Sequence, residues 1–217
     1  MNSKKKFAVI LAGSGVYDGS EIHEATLSLY AISKNGGDYQ LFAPNTDQYH
    51  VINHLTGEEM HEKRNVLVES ARIARGNIKD LKEFSAKEFD AILFPGGFGV
   101  AKNLCTFAMQ GPNCKVNADV ENALKAMHAA HKPIGALCIA PALIAKILGE
   151  VEVTIGQDND TAEAITKMGA VHVATKHGEI VFDKQNKIVS TPCYMLDSTI
   201  AQIGEGAENV VKTIMAL

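Results

Sequence analysis

The feature that most constrains this chain is a repeated alternation. Short runs rich in Val, Ile and Leu are followed by stretches whose apolar residues recur at helical spacing. Lys6–Ala12, Tyr39–Ala43, Asp90–Phe94 and Ile134–Leu137 are buried-strand candidates, with Glu152–Ile155 as a further short strand. Ser20–Lys34, Glu62–Arg75, Asn117–His131, Ala140–Leu148, Asp160–Met168 and Ser198–Ala216 read as helices; in the first of them Ile22, Ala25, Leu29 and Ile32 mark one face. Ile180–Asp183 and Lys187–Thr191 flank Lys184-Gln185-Asn186 and predict a hairpin. Strands alternating with helices demand a mostly parallel sheet covered by helices on both faces. A length of 217 residues without repeats, low-complexity tracts or linkers predicts that residues 1–217 form one domain.

Composition narrows the partners. The formal charge of −4 gives no reason to expect nucleic acid or an anionic membrane surface. The apolar run after the basic N-terminal stretch, Phe7 to Ala12, is too short for a signal core or a membrane span. Cys105, Cys114, Cys138 and Cys193 lack C-x-x-C spacing, which argues against a zinc site and against a disulfide framework. Free thiols point to a reducing compartment, and the cytosol is the expected one.

In a parallel sheet, ligands gather where strands end. Three strand ends here are unusual: Gly13-Ser-Gly-Val-Tyr-Asp-Gly19, Pro95-Gly-Gly-Phe-Gly99, and Cys138 between strand and helix. Cys138 has a small residue two places to either side, Ala136 and Ala140, as a sharp strand-to-helix turn requires. The helix that follows, with Pro141 in its first turn, directs its positive end at the sulfur and is expected to favour thiolate. The alternative is a small buried hydrophobe; Cys105, Cys114 and Cys193 lack this context and read as structural. The glycine pair before Phe98 lets the backbone approach a ligand, so the amides of Gly97 and Ile139 form a candidate oxyanion hole; otherwise it is only a tight turn. Gly13–Gly19 is one residue out of the dinucleotide fingerprint, and no acid ends the second strand, so a nicotinamide cofactor is not expected. No cluster of metal ligands is visible, and no cofactor is expected.

After the first loop, Asp18 or Ser20 is a candidate helix cap and Glu21 suits the positive end of the dipole. Glu24 stands almost one turn further in. It is either another dipole-compensating acid or a partly buried carboxyl beside Cys138, with a raised pKa and a proton to shuttle. Glu21, His23, His54 and Asn103 are candidates for substrate contact because they stand near the expected sheet edge. His177-Gly-Glu179 precedes a hairpin strand and reads as a turn.

These segments carry a resemblance. Glu21-Ile-His-Glu24, Phe94-Pro-Gly-Gly-Phe-Gly99 and Ala136-Leu-Cys-Ile-Ala-Pro141 resemble the class I glutamine amidotransferase-like superfamily, in its Parkinson-associated deglycase/PfpI branch. Gly15–Glu24, Val51–Gly57, Gly96–Leu104 and Thr191-Pro-Cys-Tyr-Met-Leu196 are similar to the ElbB-type glyoxalases (enhancing lycopene biosynthesis or sigma cross-reacting proteins). The resemblance implies a flavodoxin-like α/β sandwich, a homodimer, and Cys138 with Glu24 as the catalytic pair. It also implies a cofactor-free, glutathione-independent glyoxalase converting glyoxal to glycolate, with a small dicarbonyl as substrate. Members with peptidase activity carry His directly after the nucleophile, where this chain has Ile139. A competing reading is a cysteine-based redox or carbonyl sensor, or a chaperone-like protein, with little turnover.

Overall fold

Phe7, Val9 and Leu11 pack in one buried cluster, and Ala8, Ile10 and Ala12 in another. A strand whose side chains alternate between two buried faces needs cover on both. The computed structural model, which describes residues 4–217, shows that cover; residues 1–3 of the basic N-terminal stretch lie outside the described residues.

The central sheet has seven strands: β1 Lys6–Ile10, β2 Asp38–Ala43, β3 Ile78–Asp80, β4 Ala91–Phe94, β5 Ile134–Leu137, β6 Val181–Asp183 and β7 Ile188–Thr191. They lie in the order β6-β7-β5-β4-β1-β2-β3. All neighbours are parallel except β6, which folds back on β7 as the expected antiparallel hairpin. Among the described residues, the helices of eight residues or more form the outer layers: α1 Ile22–Lys34, α2 Val66–Ile73, α3 Ala118–Ala129, α4 Ala140–Leu148, α5 Asn159–Lys167 and α6 Ile200–Met215. Val120, Leu124 and Met127 of α3, Leu143 and Ile144 of α4, and Ile165 of α5 pack with Ile10, Ile92, Phe94 and Ile134 on one face. Ala25 and Ile32 of α1, Val66 of α2, and Ile203, Val210 and Ile214 of α6 pack with Phe7, Val9, Leu93 and Val189 on the other. This is the flavodoxin-like α/β sandwich.

Three local expectations change. The edge strand β3, Ile-Lys-Asp, was not foreseen: only one apolar side chain serves it. Glu152–Val153 pairs with Val171–His172 in a small separate sheet rather than joining the central one. The cap of α1 is Glu21, whose Oε2 accepts from the Glu24 amide at 2.7 Å, and not Asp18 or Ser20. Those two are used elsewhere. Ser20 Oγ accepts from the Ala12 amide at 2.8 Å and Asp18 Oδ2 from the Ile52 amide at 2.8 Å, so both fold the first loop onto its surroundings.

Candidate active site

Chain order in the sheet reverses between β1 and β4, which opens a crevice at their carboxyl ends. The loop after β1, the glycine turn after β4 and the elbow after β5 meet there. The first two are joined backbone to backbone. The Glu21 amide donates to Gly96 O at 2.9 Å, the Phe98 amide to Val16 O at 2.8 Å, and the Gly99 amide to Gly19 O at 2.8 Å.

Cys138 has φ +59°, the left-handed region that costs a side-chain-bearing residue on the order of 1–3 kcal/mol. Its amide is held by Thr191 O at 3.0 Å on the neighbouring strand. Ala136 and Ala140 are fully buried on either side. Helix α4 begins at once, with Ile139 as its cap and Pro141 in the first turn, where a missing amide hydrogen costs nothing. Gly96 closes the other side. A Cβ added there would stand 2.4 Å from Cys138 Cβ, 3.0 Å from Sγ and 2.6 Å from Glu24 Oε2, so sulfur and carboxyl converge on the same bare backbone. Gly97, at φ +99°, follows with equally little room, since a Cβ would meet the Glu21 amide nitrogen at 2.4 Å.

Glu24 lies in the first turn of α1 and is fully buried. Oε2 accepts from the Gly96 amide at 2.8 Å and Oε1 from the Tyr194 amide at 3.3 Å. Burial, with the Glu21 charge adding to it, pushes the carboxyl up to about 8. The Gly96 and Tyr194 amides and a hydrogen bond with the Cys138 thiol restrain that rise. The sulfur behaves differently from the sequence expectation. Burial and the neighbouring Glu24 carboxyl push the Cys138 thiol well above its ordinary value, while the amides of Gly97 and Ile139 oppose the rise. The amides expected to form an oxyanion hole thus act on the sulfur, and the balance of burial and the Glu24 carboxyl against them favours the neutral thiol. The helix end is outweighed because Cys138 is only 7 % exposed and has a carboxyl against it.

Cys138 opens on a cavity of about 350 Å³, which Glu21, Gly97 and Ile139 also line. Glu24 stands behind that wall. The other candidates lie outside the lining. His23 Nδ1 pairs with Tyr194 Oη at 2.8 Å, one residue removed from the cavity. His54 Nε2 accepts from the Tyr17 amide at 3.2 Å and its ring packs on Tyr17. Asn103 Nδ2 donates to Ala12 O and Asp18 O, both at 2.8 Å, and Oδ1 accepts from the Tyr49 amide at 2.9 Å. His54 and Asn103 therefore brace the first loop. His177 pairs with Ser198 Oγ at 2.8 Å, beside the hairpin.

Sequence reasoning missed the wall opposite. Phe98, Phe107, Tyr194, Met195, Asp158 and Thr161 are further parts of the lining. The segment after β7 carries three contributions at once: Cys193, at φ +43°, its thiol pushed up by burial with the nearby Glu24 carboxyl adding to it, then the Tyr194 amide on Glu24, then Met195. Its signal was present, since Thr191-Pro192 ends the strand beside the elbow strand. Among the described residues, no group of three or more His, Cys, Asp or Glu side chains is arranged to hold a metal ion, and no helix is long and apolar enough to cross a membrane.

No protein-family model matches the chain. Among curated proteins it is 48% identical over 222 residues to the human "Glutamine amidotransferase-like class 1 domain-containing protein 3, mitochondrial", covering 98% of this chain and 83% of that protein. It is 47% identical over 224 residues to the rat "ES1 protein homolog, mitochondrial", covering 99% and 84%. Among solved structures, an isoprenoid biosynthesis protein with an amidotransferase-like domain from Ehrlichia chaffeensis superposes with a TM-score of 0.92 at 38% identity, over 98% of both chains. Glyoxalase III from Candida albicans shares the fold alone, at a TM-score of 0.61 and 15% identity over 98% of this chain and 96% of that one. The relatives' names overturn the cytosolic expectation, for they are mitochondrial proteins. Free thiols select a reducing compartment without saying which. Nearly half of the residues are shared along almost the whole length with proteins of one kind, and the chain belongs to the class I glutamine amidotransferase-like family, in the group of the ES1 proteins.

Proposed function

We propose that the chain is a cofactor-free, glutathione-independent glyoxalase that converts glyoxal to glycolate through Cys138. The observation that carries this reading is a fully buried Glu24 carboxyl, pushed up to about 8, against a thiol on an elbow that opens on a cavity. A carboxyl with that value takes and returns a proton near neutral pH, where an ordinary carboxylate returns one poorly. The protonated thiol then needs a base, and Glu24 is its hydrogen-bonding neighbour.

In this mechanism the ionised fraction of Glu24 accepts the Sγ proton as sulfur adds to one aldehyde carbon. The new C–S bond leaves an oxyanion facing the Gly97 and Ile139 amides, and proton return gives a hemithioacetal. Glu24 next moves the proton of that carbon to its neighbour through an enediol. One carbon is oxidised and the other reduced, so no outside oxidant enters, and the product is a glycolyl thioester. Water cleaves the C–S bond, and the thiol proton is restored. Glyoxal and one water become glycolic acid. The glyoxalase III name of a fold neighbour fits the reading, although that likeness speaks for the fold alone. A small dicarbonyl partner and a homodimeric assembly belong to the same proposal.

The sensor alternative is the weaker one, because Cys138 has both a buried carboxyl to carry protons and a cavity of about 350 Å³ to hold a substrate, neither of which an oxidation sensor requires. Glycolate release from glyoxal by wild type, Cys138→Ala and Glu24→Gln tests the reading. Loss of turnover in the first and a fall of about a hundredfold or more in the second are expected. Glycolate formation that persists in Cys138→Ala overturns it.

A further inference from the structure

The cavity before Cys138 is larger and more apolar than glyoxal alone requires. At roughly 30 Å³ per water in the liquid, a two-carbon dialdehyde needs about three or four such volumes. The cavity offers about 350 Å³. Phe98, Phe107, Ile139 and Met195 form much of its wall. Water gains little from such walls, whereas an apolar substituent gains burial.

Charge on the lining has one sign. Glu21 and Asp158 are acids that line the cavity, and no lysine or arginine among the described residues does so. Asp158 caps α5 through the Thr161 amide, Oδ1 accepting at 2.8 Å, and its bonds to Thr161 hold its carboxyl below the ordinary value. Lys102 stands nearby, 5.0 Å from the Phe98 ring centroid, but its Nζ is bound to Tyr17 O and to the His50 ring, both at 3.0 Å. An anionic group entering this cavity would lose water, meet two carboxylates and find no cation.

Resting on the glyoxalase reading, we propose that the site is built for uncharged α-oxoaldehydes carrying an apolar substituent about the size of a benzene ring, and that it rejects carbonyl compounds bearing a carboxylate or phosphate. The chemistry stays balanced. The S–H bond adds across the aldehyde, the aldehyde hydrogen moves as a proton to the ketone carbon, and water releases a 2-hydroxy acid. The aldehyde carbon is oxidised and the ketone carbon reduced.

The test compares kcat/KM for glyoxal, phenylglyoxal and 4-carboxyphenylglyoxal, with the Cys138→Ala rate subtracted from each. Phenylglyoxal is expected to exceed glyoxal by about tenfold or more, and the carboxylated probe to fall at least about tenfold below phenylglyoxal. Ala108, exposed on the lining, gives the variant. Ala108→Phe should lower the phenylglyoxal-to-glyoxal ratio about fivefold or more. Glyoxal turnover with no gain for phenylglyoxal, or equal rates with and without the carboxylate, overturns the substrate class while leaving the glyoxalase reading intact. Failure of wild type to turn over any of the three overturns the glyoxalase reading itself, and this inference with it.

Discussion

Gly96→Ala separates the two partners of the site with a single methyl group. That methyl would sit 2.4 Å from Cys138 Cβ and 2.6 Å from Glu24 Oε2. Apolar contacts are normally 3.5–4.0 Å, so the neighbours must retreat by about 1 Å. Neither has easy room. Cys138 is fixed by its left-handed backbone and by the bond to Thr191 O, and the Glu24 carboxyl by the Gly96 and Tyr194 amides. Overpacking of this kind costs about 1–3 kcal/mol, and a misplacement of about 1 Å in a reacting pair costs about a hundredfold in rate. Urea unfolding and glycolate production measure the two effects. Gly204→Ala is the matched control. Gly204 lies inside α6, and its added Cβ would meet Leu27 at an ordinary 3.8 Å. That change should stabilise by about 0.5–1 kcal/mol. Wild-type stability and turnover in Gly96→Ala would refute the packing argument.

Glu24 also makes stability depend on pH. Its folded value is raised, from 4.5 to about 8, so its favourable contribution is complete below the ordinary carboxyl value and is lost as pH rises toward 8. The loss approaches about 1.4 kcal/mol per pH unit across that window. Glu24→Gln should therefore gain on wild type in urea melts between pH 5 and pH 8; a constant difference contradicts the buried, protonated acid. Asn103→Ala removes the clamp on Ala12 O, Asp18 O and the Tyr49 amide. A destabilisation of about 1–3 kcal/mol by thermal melt is expected, and one below about 0.5 kcal/mol would deny the brace.

What was legible in the sequence follows physical range. Runs such as Ala91-Ile-Leu-Phe94 are buried on both faces, so their composition alone announces a covered strand, and Ala136-x-Cys138-x-Ala140 announces an elbow because only small neighbours permit one. Ile78–Asp80 gave no such sign, since an edge strand needs little apolar surface. The thiol was misread for the same reason in reverse. The helix that begins after Cys138 is local and visible, whereas the burial and the Glu24 carboxyl that outweigh it come from remote parts of the chain. Thr191-Pro192 marked a strand end beside the elbow, but that Phe107 and Asp158 join Tyr194 in one cavity wall is set only by the fold. His54 and Asn103 stand near the expected edge, yet they are spent on bracing a loop, a choice that proximity in sequence does not reveal.

The state of one proton decides the chemistry proposed for this site. Carbon-13 NMR of glutamate-labelled protein, with the Glu24 carboxyl signal assigned by its absence in Glu24→Gln, follows that proton directly. A midpoint at about 8 is predicted. A midpoint in the ordinary carboxyl range, near 4.5, would contradict the account, because Glu24 would then be a spent carboxylate beside a thiol it cannot serve.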